Sequence, residues 1–175
     1  FEDHPLDPEH LEKYATDKTV GILINTPNNP TGFVLTEAQL ESLGAWLKTK
    51  DWWIVSDEIY EYLAFDHPHK SLLNVEPDLQ DRYFVVSGMS KGFAMTGWRV
   101  GYIAGPKKQI KLVRTLQSHS STCLPPFIED AAIAALPHGS SLLATEIETL
   151  KKRRKIACDA LDAIEGLSSL TPHAA

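Results

Sequence analysis

The chain has 175 residues, of which 43% are hydrophobic and 23% charged, a composition typical of a globular protein with a core and unlike a disordered tail. Its net charge is −6, whereas nucleic-acid-binding domains are usually basic, so we expect no nucleic-acid partner. The longest apolar run, residues 131–136, is far shorter than the ~20 residues of a membrane-spanning helix, so we expect no membrane partner either.

The cysteines are Cys123 and Cys158, and their wide separation argues against a disulfide scaffold or a zinc site. No metal site is therefore predicted. Free cysteines fit a reducing compartment, and no signal peptide opens the chain, so we predict a cytoplasmic protein. The first residue is Phe1 rather than methionine, which indicates a cut or processed chain.

The chain opens with a helix, a strand and a loop. Asp7-Pro8 is typical of a helix N-cap and first turn, and predicts a short helix that ends near Ala15. The β-branched apolar run 19–24 predicts a buried strand. Residues 25–32, N-T-P-N-N-P-T-G, are predicted as a loop because two prolines lack amide donors and Asn and Gly adopt unusual dihedral angles.

The middle of the chain predicts one helix followed by three strands. Thr36 and Gln39 have the spacing of a capping box, which opens a helix over 37–50 with leucines on one face. The region 64–80 is predicted to be irregular. The further strands are predicted at residues 52–56, 83–86 and 100–104.

The last third predicts helices. One begins at Pro106 and is broken at 124–126, L-P-P. A second ends near Leu136. A long third helix is predicted over roughly 140–164, with one apolar stripe and a basic run, 151–155, on its solvated face.

The predicted strands are apolar throughout, which indicates a sheet covered on both faces. Helices lie between several of them, so we predict an α/β fold with helices on both sides of a mostly parallel sheet. Ligands bind beyond the carboxyl ends of such strands. The polar residues that follow the first three strands, Asn29, Asp57 and Lys91, should therefore converge on one site.

Four residues around the third predicted strand suggest a nucleophile and an anion site. Lys91 lies in a turn between apolar strands, where burial would lower the lysine pKa and favour Schiff-base formation with a carbonyl. Arg99, beside a glycine-rich loop, suits a phosphate. Ser87 and Ser90 could add hydroxyl donors to the same anion. The ordinary alternatives are a surface lysine, a surface salt bridge and solvated serines.

Asp57, Asn29 and Tyr60 could bind a heterocyclic ligand. A carboxylate at the end of an apolar strand needs a cationic or donor partner, and a protonated ring nitrogen would serve. Asn29 and Tyr60 are neutral donors that could orient a phenolate-type oxygen. The alternatives are a helix cap for Asp57, a turn for Asn29 and packing for Tyr60.

Three motifs together resemble one family closely, the class I/II aminotransferases, which are pyridoxal-phosphate enzymes of fold type I. The motifs are P-N-N-P-T-G (27–32), S-D-E-I-Y (56–60) and G-M-S-K-G-F-A-M-T-G-W-R-V-G (88–101). Each could arise by chance, but their order and separation make the set specific. The flanking segments are also similar to the family, so the resemblance covers nearly the whole chain.

The resemblance implies a role for each candidate. Lys91 would form the Schiff base with pyridoxal 5'-phosphate (PLP) and, once freed by the amino acid, would shuttle the α-proton. Asp57 would keep the pyridine nitrogen protonated. Asn29 and Tyr60 would bond the phenolic oxygen, and Arg99 the phosphate.

The sequence departs from the family at Gly88, where many relatives have a phosphate-binding serine; we expect Ser87 or Ser90 to be its substitute in the phosphate site. The resemblance implies that residues 1–139 are part of the PLP-binding large domain. Residues 140–175 would be a long connecting helix and the start of a small domain. Relatives also have an N-terminal phosphate-binding segment, a small-domain arginine for the substrate carboxylate, and a homodimeric active site. Since those parts are not in this chain, it should be inactive alone.

The resemblance implies transfer of an amino group from aspartate or an aromatic amino acid to a 2-oxo acid such as 2-oxoglutarate. Alternatives within the fold are a PLP-dependent lyase or synthase. A different class is the aminotransferase-like domain of a transcriptional regulator, which an upstream DNA-binding domain would identify. A cofactor-free pseudo-enzyme is disfavoured because Lys91, Asp57 and Arg99 are all present.

Overall fold

The computed structural model describes residues 6–175 and contains a four-stranded sheet with helices. The strands are β1 (Gly21–Asn25), β2 (Trp53–Asp57), β3 (Tyr83–Gly88) and β4 (Gly101–Ala104). The α-helices are α1 (Pro8–Glu12), α2 (Glu37–Lys48), α3 (Leu72–Val75), α4 (Lys107–Ser120), α5 (Pro126–Ala135), α6 (Gly139–Leu142) and α7 (Ala144–Asp162). Short 3-10 turns lie at Glu61–Leu63, Pro77–Arg82, Thr96–Trp98 and Leu136–His138.

The strand order is β1-β2-β3-β4, with β1, β2 and β3 parallel and β4 antiparallel to β3. The predicted α/β fold with a mostly parallel sheet is therefore confirmed. The direction of β4 follows from its connection. Residues 89–100 form only turns, and a parallel return normally needs a crossover of a dozen or more residues that includes a helix.

One face of the sheet, here called the closed face, carries the side chains of Ile24, Ile54, Ser56, Tyr83 and Ser87. Helix α2 covers it, and Leu40, Leu43 and Leu47 of that helix are at most 1% exposed. The predicted capping box is present: Gln39 N–H donates to Thr36 Oγ1 and Thr36 N–H donates to Gln39 Oε1. The helix register is thereby fixed, and the leucines face the strands.

The opposite face, here called the open face, carries Leu23, Trp53, Asp57 and Ile103. Leu23 is 68% exposed and Trp53 is 42% exposed. Residues 6–175 therefore cover only one of the two faces, because no helix of this part of the chain packs over Leu23. The apolar pattern of the strands indicates a cover, and this cover is not supplied by the described residues.

Two other boundaries differ from the sequence predictions. The region 64–80 is not irregular: α3 begins after Ser71, whose N–H donates to Asn74 Oδ1 at 2.9 Å, and Pro77 opens a 3-10 turn. The long last helix is divided at Leu143, a buried residue between α6 and α7. None of the helices in residues 6–175 is long and apolar enough to cross a membrane.

Candidate active site

The candidate residues lie where the three parallel strands end. Asp57 is the last residue of β2, and it is in register with Asn25 of β1 and Val86 of β3. The loop 25–32 follows β1, and Lys91 lies in the turn that follows β3. The sheet topology therefore brings the three predicted segments to the same edge, as the sequence indicated.

Asn29 and Tyr60 contact each other directly. Asn29 Nδ2 donates to the Tyr60 hydroxyl at 2.9 Å. The loop that carries Asn29 is shaped by Asn28, whose Nδ2 donates to Asn25 Oδ1 at 2.5 Å and whose Oδ1 accepts from Thr31 Oγ1 at 2.6 Å. The asparagines thus form a turn, the ordinary alternative, and also present Asn29 to Tyr60.

Lys91 lies next to this pair. Its Nζ is 5.8 Å from the centre of the Tyr60 ring. The side chain is exposed, however, so the expected burial of Lys91 is not found in residues 6–175. The reason is that Lys91 comes after the end of β3, in a turn that projects beyond the sheet edge.

Asp57 is half-buried and projects from the open face. Its Oδ1 accepts a hydrogen bond from Ile59 N–H at 3.1 Å, so the expected alternative of a capping role is present. Among the described residues, Oδ2 of Asp57 accepts no hydrogen bond. One carboxylate oxygen is therefore held by the chain and the other is available to a donor.

Arg99 has a left-handed backbone, with φ at 53°, at the end of the Thr96–Trp98 turn. This conformation is uncommon for a residue with a side chain and is found often at functional sites. Its guanidinium is exposed, and Nη1 donates to Thr96 O at 2.9 Å. The other guanidinium nitrogens make no hydrogen bond within residues 6–175.

Ser87 is not brought to this site. It pairs with Tyr102 in the sheet and projects from the closed face, whereas Asp57 projects from the open one. Its Oγ donates to Glu61 Oε1 at 2.8 Å. Ser87 therefore lies on the face opposite to Asp57, because adjacent strand residues point to opposite faces and Val86 is the neighbour in register with Asp57.

Ser90 and Gly88 lie nearer the strand end. Ser90 is half-buried in the turn before Lys91. A Cβ at Gly88 would lie 3.0 Å from both Gly101 Cα and Val100 O, so a serine there would press against the start of β4. The close approach of β4 thus accounts for glycine at the position where many relatives have serine.

Sequence analysis missed a buried polar network on the closed face. Glu58, 3% exposed, accepts hydrogen bonds from His69 Nε2 (3.0 Å), Ser71 Oγ (2.8 Å) and the Tyr83 hydroxyl (3.1 Å). Burial alone would raise the pKa of the Glu58 carboxyl, but the bonds from His69 and Ser71 outweigh it and hold this pKa below its ordinary value. Burial, with Glu58 nearby, raises the pKa of Tyr83 to about 12.

A second carboxylate, Glu61, joins the same face to β4. Its Oε1 accepts from Ser87 Oγ and, at 2.9 Å, from the Tyr102 hydroxyl. Burial is the largest cause that raises the pKa of Tyr102 to about 12. The sequence signal that could have found Glu58 is its place directly after Asp57, because consecutive residues at a strand end point to alternate faces. Glu61 lies in a 3-10 turn, where this alternation does not apply.

The sequence profile of the aminotransferase class I and II family matches residues 2–175. This chain belongs to the class I and II aminotransferases. It is 40% identical over 168 residues to an aspartate aminotransferase of Streptomyces avermitilis, covering 95% of this chain and 41% of that protein. It is 37% identical to aromatic-amino-acid aminotransferase 2 of Thermococcus litoralis, covering 97% and 44%.

A solved structure agrees with the aminotransferase fold. The aspartate aminotransferase of Rhizobium meliloti superposes with a TM-score of 0.93 at 32% identity, over 99% of this chain and 44% of that one. The predicted fold class, that of a fold type I enzyme, is confirmed. This aminotransferase chain spans about two-fifths of the length of the curated relatives that it matches.

Proposed function

We propose that the full-length protein containing this chain is a PLP-dependent aminotransferase. The observation that carries the proposal is the 2.9 Å hydrogen bond between Asn29 and Tyr60, with Lys91 Nζ beside the Tyr60 ring. Two neutral donors and one amine are thereby gathered where the parallel strands end. This arrangement suits a ligand with an anionic ring oxygen next to a carbonyl carbon.

The donor set fits PLP. When bound, PLP supplies a carbonyl that condenses with amines and a ring that withdraws electrons from the amino acid. Asp57 Oδ2 would accept the ring N–H, and Asn29 with Tyr60 would donate to the phenolic oxygen. Arg99 and Ser90 would donate to the phosphate. These residues come from four separate segments, and together they would hold the ring nitrogen, the phenolic oxygen and the phosphate.

Lys91 has two proposed tasks. Its amine would hold the cofactor covalently before the substrate arrives. After the substrate amine takes its place, the freed Lys91 Nζ would accept the α-proton and return it to the cofactor side. An exposed side chain beside Tyr60 can reach both positions.

We propose aspartate or an aromatic amino acid as amino donor and a 2-oxo acid such as 2-oxoglutarate as acceptor. The support is that the relatives above are named for aspartate and for aromatic amino acids. We further propose a homodimer in the cytoplasm, with residues 1–139 in the PLP-binding domain and 140–175 leading to a small domain. The exposed apolar residues of the open face support a larger assembly than this chain.

The proposal is tested with the full-length protein and its Lys91→Ala variant. We expect amino transfer from aspartate or phenylalanine to 2-oxoglutarate, and a loss of about 10³-fold or more in the variant. Lys108→Ala, a lysine exposed on α4, is the matched control and should keep full turnover. Unchanged turnover in Lys91→Ala would overturn the proposal.

A further inference from the structure

The last residues of the chain lie between the two segments that carry Asn29 and Tyr60. Residues 172–175, here called the strap, form backbone hydrogen bonds to both. On one side, His173 N–H donates to Gly32 O at 2.8 Å. On the other, Phe65 N–H donates to His173 O at 2.8 Å and Ala175 N–H donates to Leu63 O at 3.1 Å. The strap therefore joins the Asn29 loop to the segment that follows Tyr60.

The strap fits closely against the Asn29 loop. A Cβ placed at Gly32 would lie 2.2 Å from Pro172 Cβ, and Gly32 has a φ of +69°. Ala174, which forms a bridge with Ala64, is 1% exposed. The last residue of P-N-N-P-T-G thus has a local reason to be glycine: the strap occupies the space of a side chain.

Arg154 of α7 anchors the strap. Its Nη1 donates to Asp66 Oδ2 at 2.6 Å and to Pro172 O at 2.7 Å, and its Nη2 donates to Asp66 Oδ1 at 2.7 Å. His173 Nδ1 also bonds Asp66 Oδ2, at 2.9 Å. The hydrogen bonds from Arg154, more than those from His173, hold the pKa of the Asp66 carboxyl well below its ordinary value.

From this connectivity we infer that the strap, anchored by Arg154 and Asp66, is a positioning element that holds Asn29 and Tyr60 at hydrogen-bond distance from one another. The inference rests on the proposed function for its catalytic meaning. Asn29 is three residues before Gly32, and Tyr60 is three residues before Leu63. Two donors to one oxygen must be held to within about 0.5 Å, and loops seldom achieve that without a support.

The first arm of the test is hydrogen exchange on the full-length protein without cofactor. We expect Arg154→Met to speed amide exchange in peptides that cover residues 26–33 and 60–66 by about tenfold or more. The matched control is Arg153→Met, which removes the same charge from an exposed position on the same helix. Arg154→Lys should resemble Arg154→Met, because a lysine cannot make the paired bonds to Asp66 and Pro172 O.

The second arm measures the pKa of the Lys91–PLP chromophore, read from the absorbance spectrum of the full-length protein loaded with PLP. Hydrogen-bond donors to the ring oxygen favour the anionic form of that oxygen. Losing one donor should therefore raise the pKa of the chromophore, by about one unit for Asn29→Ala. Arg154→Met should also raise this pKa, by about half a unit. In an Asn29→Ala background, Arg154→Met should add nothing, because the positioned donor is already absent.

The outcomes distinguish a failure of the strap inference from a failure of the proposed function. Unchanged amide exchange in Arg154→Met and Arg154→Lys would overturn the inference that Arg154 anchors the strap. Faster exchange with an unchanged pKa, while Asn29→Ala still raises it, would overturn the positioning role. If Asn29→Ala itself leaves the pKa unchanged, the role of Asn29 in the proposed function fails, and the positioning role fails with it. Should Arg154→Met not fold, Asp66→Asn weakens the same anchor from its other partner and is judged by the same two measurements.

Discussion

The two faces of the sheet differ in how far the described residues bury their apolar side chains and pair their polar groups. On the closed face, leucines of α2 cover the strands and Glu58 and Glu61 accept hydrogen bonds from five side chains. On the open face, Leu23 and Trp53 are exposed and Asp57 Oδ2 has no donor within residues 6–175. A face whose apolar side chains are covered and whose polar groups are paired contributes stability. A face with exposed apolar side chains and an unpaired carboxylate oxygen is suited to binding further protein and a ligand.

The largest effect should appear when the chain is expressed alone. The 175 residues expose apolar side chains on the open face and on α4 and α7, including Leu112, Leu116 and Ile156. We expect self-association and no detectable amino transfer, because exposed patches and sheet edges pair with other copies. Light scattering and an assay with aspartate and phenylalanine measure both. Robust turnover by a monodisperse chain would contradict the view that the open face needs a cover from outside this chain.

The next effect should come from the carboxylate of the open face. Asp57→Ala in the full-length protein should lower kcat/KM by about 10²- to 10³-fold, because the electron-withdrawing ring form loses its partner. The midpoint of thermal unfolding should change little, since the Asp57 side chain is half-buried and, among residues 6–175, accepts one hydrogen bond. Asp51→Ala, an exposed aspartate before β2, is the control. Near-normal turnover in Asp57→Ala would show that the open face is not the chemical one.

The closed face should respond in stability instead. Glu58→Ala leaves buried donors on His69, Ser71 and Tyr83 without an acceptor, and should cost about 3–5 kcal/mol. Glu41→Ala, exposed on α2, is the matched control. Urea unfolding of the full-length protein measures the difference. A Glu58→Ala variant with unchanged stability but lost turnover would reverse the assignment of the two faces.

The Glu58 carboxyl should also make the stability of the protein depend on pH. Its folded pKa lies below the ordinary value of 4.5, so its stabilisation is complete above that value and is lost as the pH falls through the folded pKa. Between pH 6 and pH 3.5, a Glu58→Gln variant should therefore lose less stability than the unaltered protein. Equal losses of stability in the two proteins would exclude Glu58 as the source of the pH dependence.

The smallest effect should distinguish two serines that lie three residues apart. Ser87→Ala removes one bond to Glu61 on the closed face and should cost about 1 kcal/mol of stability with turnover unchanged. Ser90→Ala should leave stability unchanged and weaken PLP binding by about tenfold, the worth of one charge-assisted bond. Equilibrium unfolding measures the stability of both variants, and a PLP titration measures their affinity for PLP. Weaker PLP binding in Ser87→Ala with lower stability in Ser90→Ala would place Ser87 at the phosphate.

The sequence predicted the strands, the order of the site segments and the aminotransferase family, because apolar runs and loop motifs are local signals. It did not predict the direction of β4 or the face of Ser87, since both depend on register between distant strands. Nor did it predict the strap, because the contact of Gly32 with Pro172 joins residues far apart in the chain. The burial of Lys91 was misjudged because the apolar strands on either side of its turn do not reveal that the turn projects beyond the sheet edge.

The central claim is that the open-face edge binds PLP through Lys91. The most direct measurement is borohydride reduction of the full-length protein with bound PLP, followed by peptide mapping of the stable adduct. The adduct should be found on Lys91 and should be absent from the Lys91→Ala variant, while Lys108→Ala retains it. An adduct on any other lysine, or one that survives Lys91→Ala, would contradict the claim.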